Sequence, residues 1–516
     1  MPPTTALPTW PGHLLLLGVL GLGGCMRLGP DFQAPAEVWS KQWNSPALEQ
    51  ASERGAHPDL RQWWQVFADP ILDQMISAAE AQNSSLKIAG LRVLEARAQL
   101  GIAESGRYPQ LQQASADSLY IDRRQSGGTN PQNLHFWQHS AAFDVGWELD
   151  FWGRFSRAIE SADAGYFAAQ ANYEDALVLL RAQVADTYFS LRTTEARLRV
   201  ARENATQQKR NFEITEKLFT SGQSAELDLQ QAKTQYLGTL STIPAFEDQL
   251  LRTRNALAVL VGQPPGGAAL IAETSGLIPL IDRAVLQDVP ANLLLRRPDV
   301  RAAELNVAAQ SALIGVAETD LYPSLTLLGS IVWSSDSLSA TPRSLDLIGG
   351  PSLRWNLFDY GRIRNNIRVQ DARLQQLIQA YRDKVRQAAR EADDAASGLT
   401  KALEVERILG EAEGAARRSL VLANAQYREG YSDFQRVLDA QRALLELQDN
   451  YLVSRSNAVS NLIALYKAVG GGWQSSAPQI DAPTRQQMQQ RTDWGGLLTE
   501  PPAQPAYPLP PAGKSQ

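Results

Sequence analysis

Two stretches decide the fold: FTSGQSAELDLQQAKTQYL, from Phe219 to Leu237, and YREGYSDFQRVLDAQRALL, from Tyr427 to Leu445. The second lies in a run without proline between Pro351 and Pro478, rich in Ala, Gln, Arg, Glu and Leu. Such a run reads as helix almost throughout. Its one break is Tyr427-Arg428-Glu429-Gly430-Tyr431-Ser432-Asp433. Gly430 suits a left-handed helix end, and Ser432 or Asp433 suits the cap of the next helix. From Gly361 to Arg428 an unbroken helix would span roughly 100 Å, so the pattern predicts a very long helical hairpin. On the return helix Val437, Leu444, Tyr451, Ala458 and Leu465 recur every seven residues. Leu438, Leu445, Leu452, Val459 and Tyr466 form a second column beside them. Two adjacent apolar columns predict a broad, left-handed coiled packing stripe, although a soluble bundle would use the same stripe.

The hairpin occurs twice. Trp147 and Trp355, Gly153-Arg154 and Gly361-Arg362, Gly222 and Gly430, and Gly262 and Gly470 all stand 208 positions apart. Upstream, Tyr108-Pro109 and Tyr322-Pro323 stand 214 apart, so the first copy holds six extra residues before its tryptophan. A duplication of this size predicts two structural copies in one chain. Pro244 breaks the likeness, because the second copy has Leu452 there. Proline removes a helix hydrogen bond and predicts a kink in the first return helix.

Each copy also predicts a β-hairpin, giving four strands in all. Ala141, Phe143, Val145, Trp147 and Leu149 alternate with Ala142, Asp144, Gly146, Glu148 and Asp150. Leu325, Leu327, Gly329, Ile331 and Trp333, and then Leu353, Trp355 and Leu357, repeat the alternation. A period of two with one apolar and one polar face is a strand signal. The strand after Pro109 is weaker, since Gln112, Gln113, Ser115, Asp117 and Ser118 show no clean face. Tyr108, Tyr120, Phe136, Trp137, Trp147, Phe151, Trp152, Trp333, Trp355, Phe358 and Tyr360 crowd the strand ends. Aromatic girdles mark membrane barrels, though a soluble sheet packed on helices also carries strand aromatics. Four strands cannot close a barrel, and open edges in lipid are prohibitive. If the strands span a membrane, copies must share one barrel: two chains give eight strands, three give twelve.

The N-terminus suggests the address. His13 is followed by Leu14-Leu15-Leu16-Leu17-Gly18-Val19-Leu20-Gly21 and then Leu22-Gly23-Gly24-Cys25. An apolar segment of this size before small residues reads as an export signal. Leu-Gly-Gly-Cys resembles a bacterial lipobox, in which the cysteine becomes the acylated first residue, although no Lys or Arg precedes Arg27. An ordinary cleavage site with an incidental cysteine is the plainer alternative. Cys25 is the only cysteine of 516 residues, so no disulfide forms within the chain. Net charge is −6, which gives nucleic acid no basic surface to bind. Beyond the N-terminus no apolar run is long enough for a membrane helix.

LGPDFQAP, WWQVFADPILDQMI, RYPQL, WELDFWGR, LLLRRPDVRAAE, LYPSLTL, WNLFDYGRIR, the second hairpin and LYKAVGGGW together resemble the signature segments of the TolC-like outer-membrane efflux proteins. The likeness is to their lipoprotein branch serving resistance-nodulation-division pumps, and it runs from Cys25 to Trp473. It implies a mainly α protein with a β-barrel portion, built from a duplicated strand hairpin and long helical hairpin. It also implies a homotrimer with a 12-stranded outer-membrane barrel and a 12-helix periplasmic tunnel. The partners implied are a periplasmic adaptor, an inner-membrane pump and outer-membrane lipids. The organisation expected is a signal peptide (1–24), a lipid-anchored extended segment (25–70), a first repeat (71–262), a linker (263–297), a second repeat (298–470) and a partly disordered, proline-rich tail (471–516).

Passage rather than chemistry is the expected function, since no zinc-protease helix, phosphate loop or nucleophile elbow is present. His135 and His139 stand four apart but in a segment read as a loop entering a strand, so no metal site and no cofactor beyond the lipid on Cys25 is expected. In the family, side chains just after the second turn constrict the periplasmic entrance. The matching positions are Gln435, where the branch often carries an apolar residue, and Asp439. The turns themselves, Ser221-Gly222 and Glu429-Gly430, are the expected adaptor contacts. A solvated helix face is the plainer reading of Asp439. Metal-ion efflux, type I secretion and a pore-less, lipid-anchored coiled-coil scaffold are the alternative functions.

Overall fold

The computed structural model describes residues 26–35, 43, 45–46, 60–124, 133–267, 277–281, 297–336, 344–472, 478 and 480–498. Cys25, the signal segment and residues 499–516 of the tail lie outside the described residues.

A 3-10 turn at Leu60–Phe67 precedes α1 (Pro70–Gln82) and α2 (Ser84–Ser105). Strands β1 (Leu111–Arg124) and β2 (Asn133–Glu148) lead into α3 (Arg154–Thr220) and α4 (Glu226–Leu260). The series then repeats as α5 (Pro298–Thr319), β3 (Ser324–Ser335), β4 (Ser344–Arg354), α6 (Arg362–Arg428) and α7 (Phe434–Ala468), with α8 (Ala482–Arg491) last. The duplication is reproduced to the residue: α3 and α6 hold 67 residues each, and α4 and α7 hold 35 each. Gly153, Gly222 and Gly262 have positive φ, as do Gly361, Gly430 and Gly470. Both long helices are capped by an aspartate. Asp150 accepts from the Phe155 and Ser156 amides, and Asp359 from those of Gly361 and Ile363.

The chain forms two compact units. The first draws on Met1–Pro35, Glu95–Phe167 and Glu304–Ala380. It contains an antiparallel sheet in the order β1-β2-β3-β4. β2 begins at Asn133, eight residues before the alternation becomes clear, and β1 is a full strand of 14 residues despite its weak pattern. The register sets Phe143, Ile331 and Leu347 in one row and Trp147 beside Leu327 in another. The opposite face carries Asp144, Ser330, Ser115, Asp346, Glu148, Thr326 and Ser352. There Ser330 Oγ donates to Asp144 Oδ1 at 2.6 Å.

The second unit draws on Ala36–Leu94, Ala168–Ala303 and Tyr381–Gln516. Its buried side chains include Leu72 and Met75 from α1, Val184 and Phe189 from α3, Leu399 from α6, and Val459, Leu462 and Leu465 from α7. Fully burying each such aliphatic side chain contributes about 1.5–3 kcal/mol. Helix α7 sits among three others. It is tied to α3 by Arg197–Asp449, to α4 by Arg442–Gln235, and to α6 by Arg455–Glu406. Both heptad columns face inward, with Tyr451, Leu445 and Leu452 half-buried and the rest buried.

Arg297 is buried where α5 begins. It donates to both Asp299 oxygens, to Glu391 and to the Ala468 carbonyl, so a cation meets the C-terminal end of α7. Nearby, burial pushes the Asp175 carboxyl up to about 6 and the Glu174 carboxyl up to about 7, against the pull of Arg301 on Glu174. Helix α8 has no counterpart in the expected periodicity. Asp481 caps it through the Thr484 amide and pairs with Lys87 of α2 at 2.8 Å, while Met488 and Leu498 bury against Leu94. No helix among the described residues is long and apolar enough to cross a membrane, a statement that leaves the sheet aside.

Candidate functional site at the helical-hairpin tips

Both tips close by the same backbone device. In the first, the Gly222 amide donates to the Phe219 carbonyl and the Gln223 amide reaches back to Leu218 at 2.8 Å. In the second, Gly430 donates to Tyr427 and Tyr431 to Gln426 at 2.9 Å. This pair of bonds satisfies the orphan carbonyls of a helix end and requires a left-handed residue. Gly222 has φ 72° and Gly430 φ 75°. An added Cβ would meet nothing within 4 Å at either, so backbone conformation and not space demands glycine. Ser221, Gly222, Glu429 and Gly430 are all exposed.

The caps differ. Asp433 accepts from the Arg436 amide at 3.3 Å, whereas Ala225 offers no side-chain cap to α4. Beneath the tips a small core joins all four helices. Ala232, Phe434, Val437 and Leu438 are buried, and Phe212, Leu420, Ala423 and Tyr427 pack against them. Tyr427 and Phe434 rings lie 5.3 Å apart, and burial raises the Tyr427 phenol.

Gln435 and Asp439 are brought together, with Gln435 Nε2 donating to Asp439 Oδ1 at 3.0 Å. Spacing of four on one helix face produces that contact. Arg442 approaches the same carboxylate at 3.7 Å and donates from Nε to Gln235 Oε1 of α4 at 2.9 Å. The acid is therefore exposed on α7 yet linked through one arginine to the other hairpin. Sequence reasoning did not single out Arg442 or Gln235. The spacing of three from Asp439 to Arg442 was a readable sign, but the partner on α4 needed the packed structure. At the 208-residue offset, Leu227 and Gln231 occupy the positions of Gln435 and Asp439, so only the second tip carries the acid. Leu227 and Tyr431 are strongly exposed apolar side chains at the tips, and neither was anticipated.

His135 and His139 both lie on β2 and not in a loop. Four residues along a strand separate them by about 13 Å, too far to share one ion.

The site thus consists of two paired helix tips with the exposed Asp439 on the second. The chain belongs to the outer membrane efflux protein family, whose model matches residues 75–263 and 289–471. It is 32% identical over 479 residues to the pyoverdine export outer membrane protein OpmQ of Pseudomonas putida, covering 91% of this chain and 99% of that one. It is 29% identical over 470 residues to the probable outer membrane lipoprotein SilC of Salmonella typhimurium, covering 88% and 96%. Among solved structures it resembles the outer-membrane channel OprN, with a TM-score of 0.79 and 31% identity over 86% of this chain and 99% of that chain. This chain is accordingly an outer-membrane efflux protein with the fold of the TolC-like channels.

Proposed function

We propose that three copies of this chain complete one outer-membrane channel of a tripartite efflux system, passively conducting small molecules from periplasm to exterior. The observation that carries this reading is the sheet. One face presents Phe143, Trp147, Leu327, Ile331, Leu345, Leu347 and Leu353 to the surroundings, and β1 and β4 end the strand order. An apolar outer face suits lipid, but unpaired strand edges do not survive there. Three sheets of four strands would close a twelve-stranded barrel whose polar face lines a water-filled bore. The four long helices of each chain would likewise contribute to a twelve-helix tunnel. Purified protein reconstituted in planar bilayers should conduct ions in discrete steps and run as a heat-modifiable trimer on gels. A protein without conductance and without heat-modifiable mobility would instead be the tethered scaffold.

In this reading residues 1–24 are a signal peptide, Cys25 carries the covalent lipid, and the segments 71–262 and 298–470 are the two repeats joined by 263–297. The name of SilC supports the lipid anchor, and the name of OpmQ supports export of a small molecule. An adaptor would meet the tips at Ser221, Gly222, Glu429 and Gly430, linking the channel to an inner-membrane pump. Three symmetry-related Asp439 side chains near the axis, flanked by Gln435, would form a cation-attracting periplasmic aperture. Asp439→Ala should make the closed channel leakier in bilayers, and unchanged conductance would remove the residue from the gate.

A further inference from the structure

The least expected charge in the first unit is Arg157, one turn into α3. Its side chain is 2% exposed, and an arginine this deeply buried must satisfy its donors. It does so mostly on a segment distant in sequence. Nε donates to the Leu28 carbonyl at 2.9 Å, and Nη2 donates to the Gly29 carbonyl at 3.0 Å and to Asp31 at 2.8 Å. Nη1 donates to the buried Glu160 at 2.8 Å.

The same segment is held on its other sides. The Leu28 amide donates to the Trp152 carbonyl at 3.1 Å. Gly29, at φ 84°, lies so close to α5 that a Cβ there would stand 2.4 Å from Gly315 Cα. A Cβ on Gly315 would stand 2.6 Å from the Leu28 carbonyl oxygen. Two glycines thus face each other where strap meets helix, and only residues without side chains fit. The second copy lacks this arrangement. Asn365 stands at the position of Arg157, is exposed, and among the described residues is the only neighbour within 4 Å of a Cβ added at Gly361. The buried arginine therefore does not belong to the repeat. It is found only where the N-terminal segment arrives.

We propose that Arg157, Trp152 and Gly315 form a docking slot for the N-terminal strap and fix the acyl anchor to the end of the sheet from which α3 leaves. The proposal rests on the reading of Cys25 as the lipidated residue. Cys25 precedes the pinned Leu28 by three residues, a reach of about 10 Å at full extension. A lipid on Cys25 would thereby be tethered within that reach of the pinned segment. Acyl chains and sheet then enter the same bilayer side by side, with the strap as the link between them.

Arg27-Leu28 is a trypsin site inside the strap, and its cleavage reports docking. The full-length protein in outer membranes should keep this bond under mild trypsin, because a docked backbone cannot enter the protease. Arg157→Leu removes the donors to the strap, and Gly29→Val acts from the strap side, driving a side chain against Gly315 while leaving every helix residue unchanged. Each should be cut at Arg27-Leu28 about tenfold faster or more, with gel mobility and helix content unchanged. Gly29→Val carries the test if Arg157→Leu fails to fold. Mass spectrometry of the Cys25–Arg27 fragment reads the lipid separately. An unmodified fragment removes the lipid reading and with it the anchor placement. An acylated fragment, released from the wild type as fast as from a folded Gly29→Val variant, overturns the slot.

Discussion

The two return helices, α4 and α7, have the same length and descend from one duplicated segment, yet they are buried very differently. Helix α7 buries Val437, Leu438, Leu444, Val459, Leu462, Ile463, Leu465 and Tyr466, and none of its large apolar side chains is exposed. Helix α4 buries Leu257 and four smaller residues, while Leu227, Leu237, Leu240, Leu251 and Val259 are exposed. At helical spacing the last four of these fall on one side of α4, away from most of its buried residues. Helix α7 has its neighbours within the chain. Helix α4 carries a second apolar stripe that the single chain leaves uncovered. Such a stripe marks an association surface, and a further copy of the chain is the occupant that the proposed channel would place there. Duplication preserved length and turns, and the later divergence assigned one helix to the inside of the protomer and the other to its edge.

The comparison can be broken at several strengths. Replacing Leu240 and Leu251 together with arginine should abolish the trimer on native gels while leaving the helix content of the chain intact. Leu462→Ala should destabilise the chain by about 2–5 kcal/mol, because it opens a cavity in a packed core. Leu251→Ala should cost less than about 0.5 kcal/mol in a dissociated chain. Thermal unfolding followed by circular dichroism reads both, and equal losses would erase the distinction.

A smaller effect concerns the buried acids of α3. Glu174 titrates near 7 in the folded protein, above its ordinary 4.5. The folded state therefore holds a proton that the unfolded state releases, and stability falls as pH rises from about 4.5 to about 7. Glu174→Gln should stabilise the protein on the order of 2 kcal/mol at pH 8 and little at pH 4. A pH-independent effect in unfolding curves would show that packing, not ionisation, decides this site. The caps should matter less than Glu174: Asp433→Ala should cost about 1 kcal/mol, and Ala225→Asp should gain about 0.5–1 kcal/mol. Melting temperatures moving in opposite directions are the expected result.

Much of this architecture was legible in the residues. Glycines at a fixed offset located both tips, the heptad columns located the inward face of α7, and alternation located β3 and the second half of β2. Strand β4 (Ser344–Arg354) lies upstream of the stretch read as its strand, of which Leu353 is inside it and Trp355 and Leu357 are beyond its end. Three features were not legible. β1 shows no clean face because its small and polar residues obtain their register by pairing with β2 and not from their own pattern. Helix α8 is polar, and its few buried contacts come from Leu94, distant in sequence, and from Leu498 just beyond its end. The clamp at Arg157 gives no local sign, because an arginine near a helix start ordinarily faces solvent. At the tips, Asp439 was identified by likeness to a family, while its tie through Arg442 to Gln235 depends on how two helices pack.

The count of chains in the assembled particle tests the central claim most directly. Native mass spectrometry of the protein extracted from outer membranes in mild detergent should find three polypeptides, enough for twelve strands. A particle of one or two chains would contradict the shared barrel.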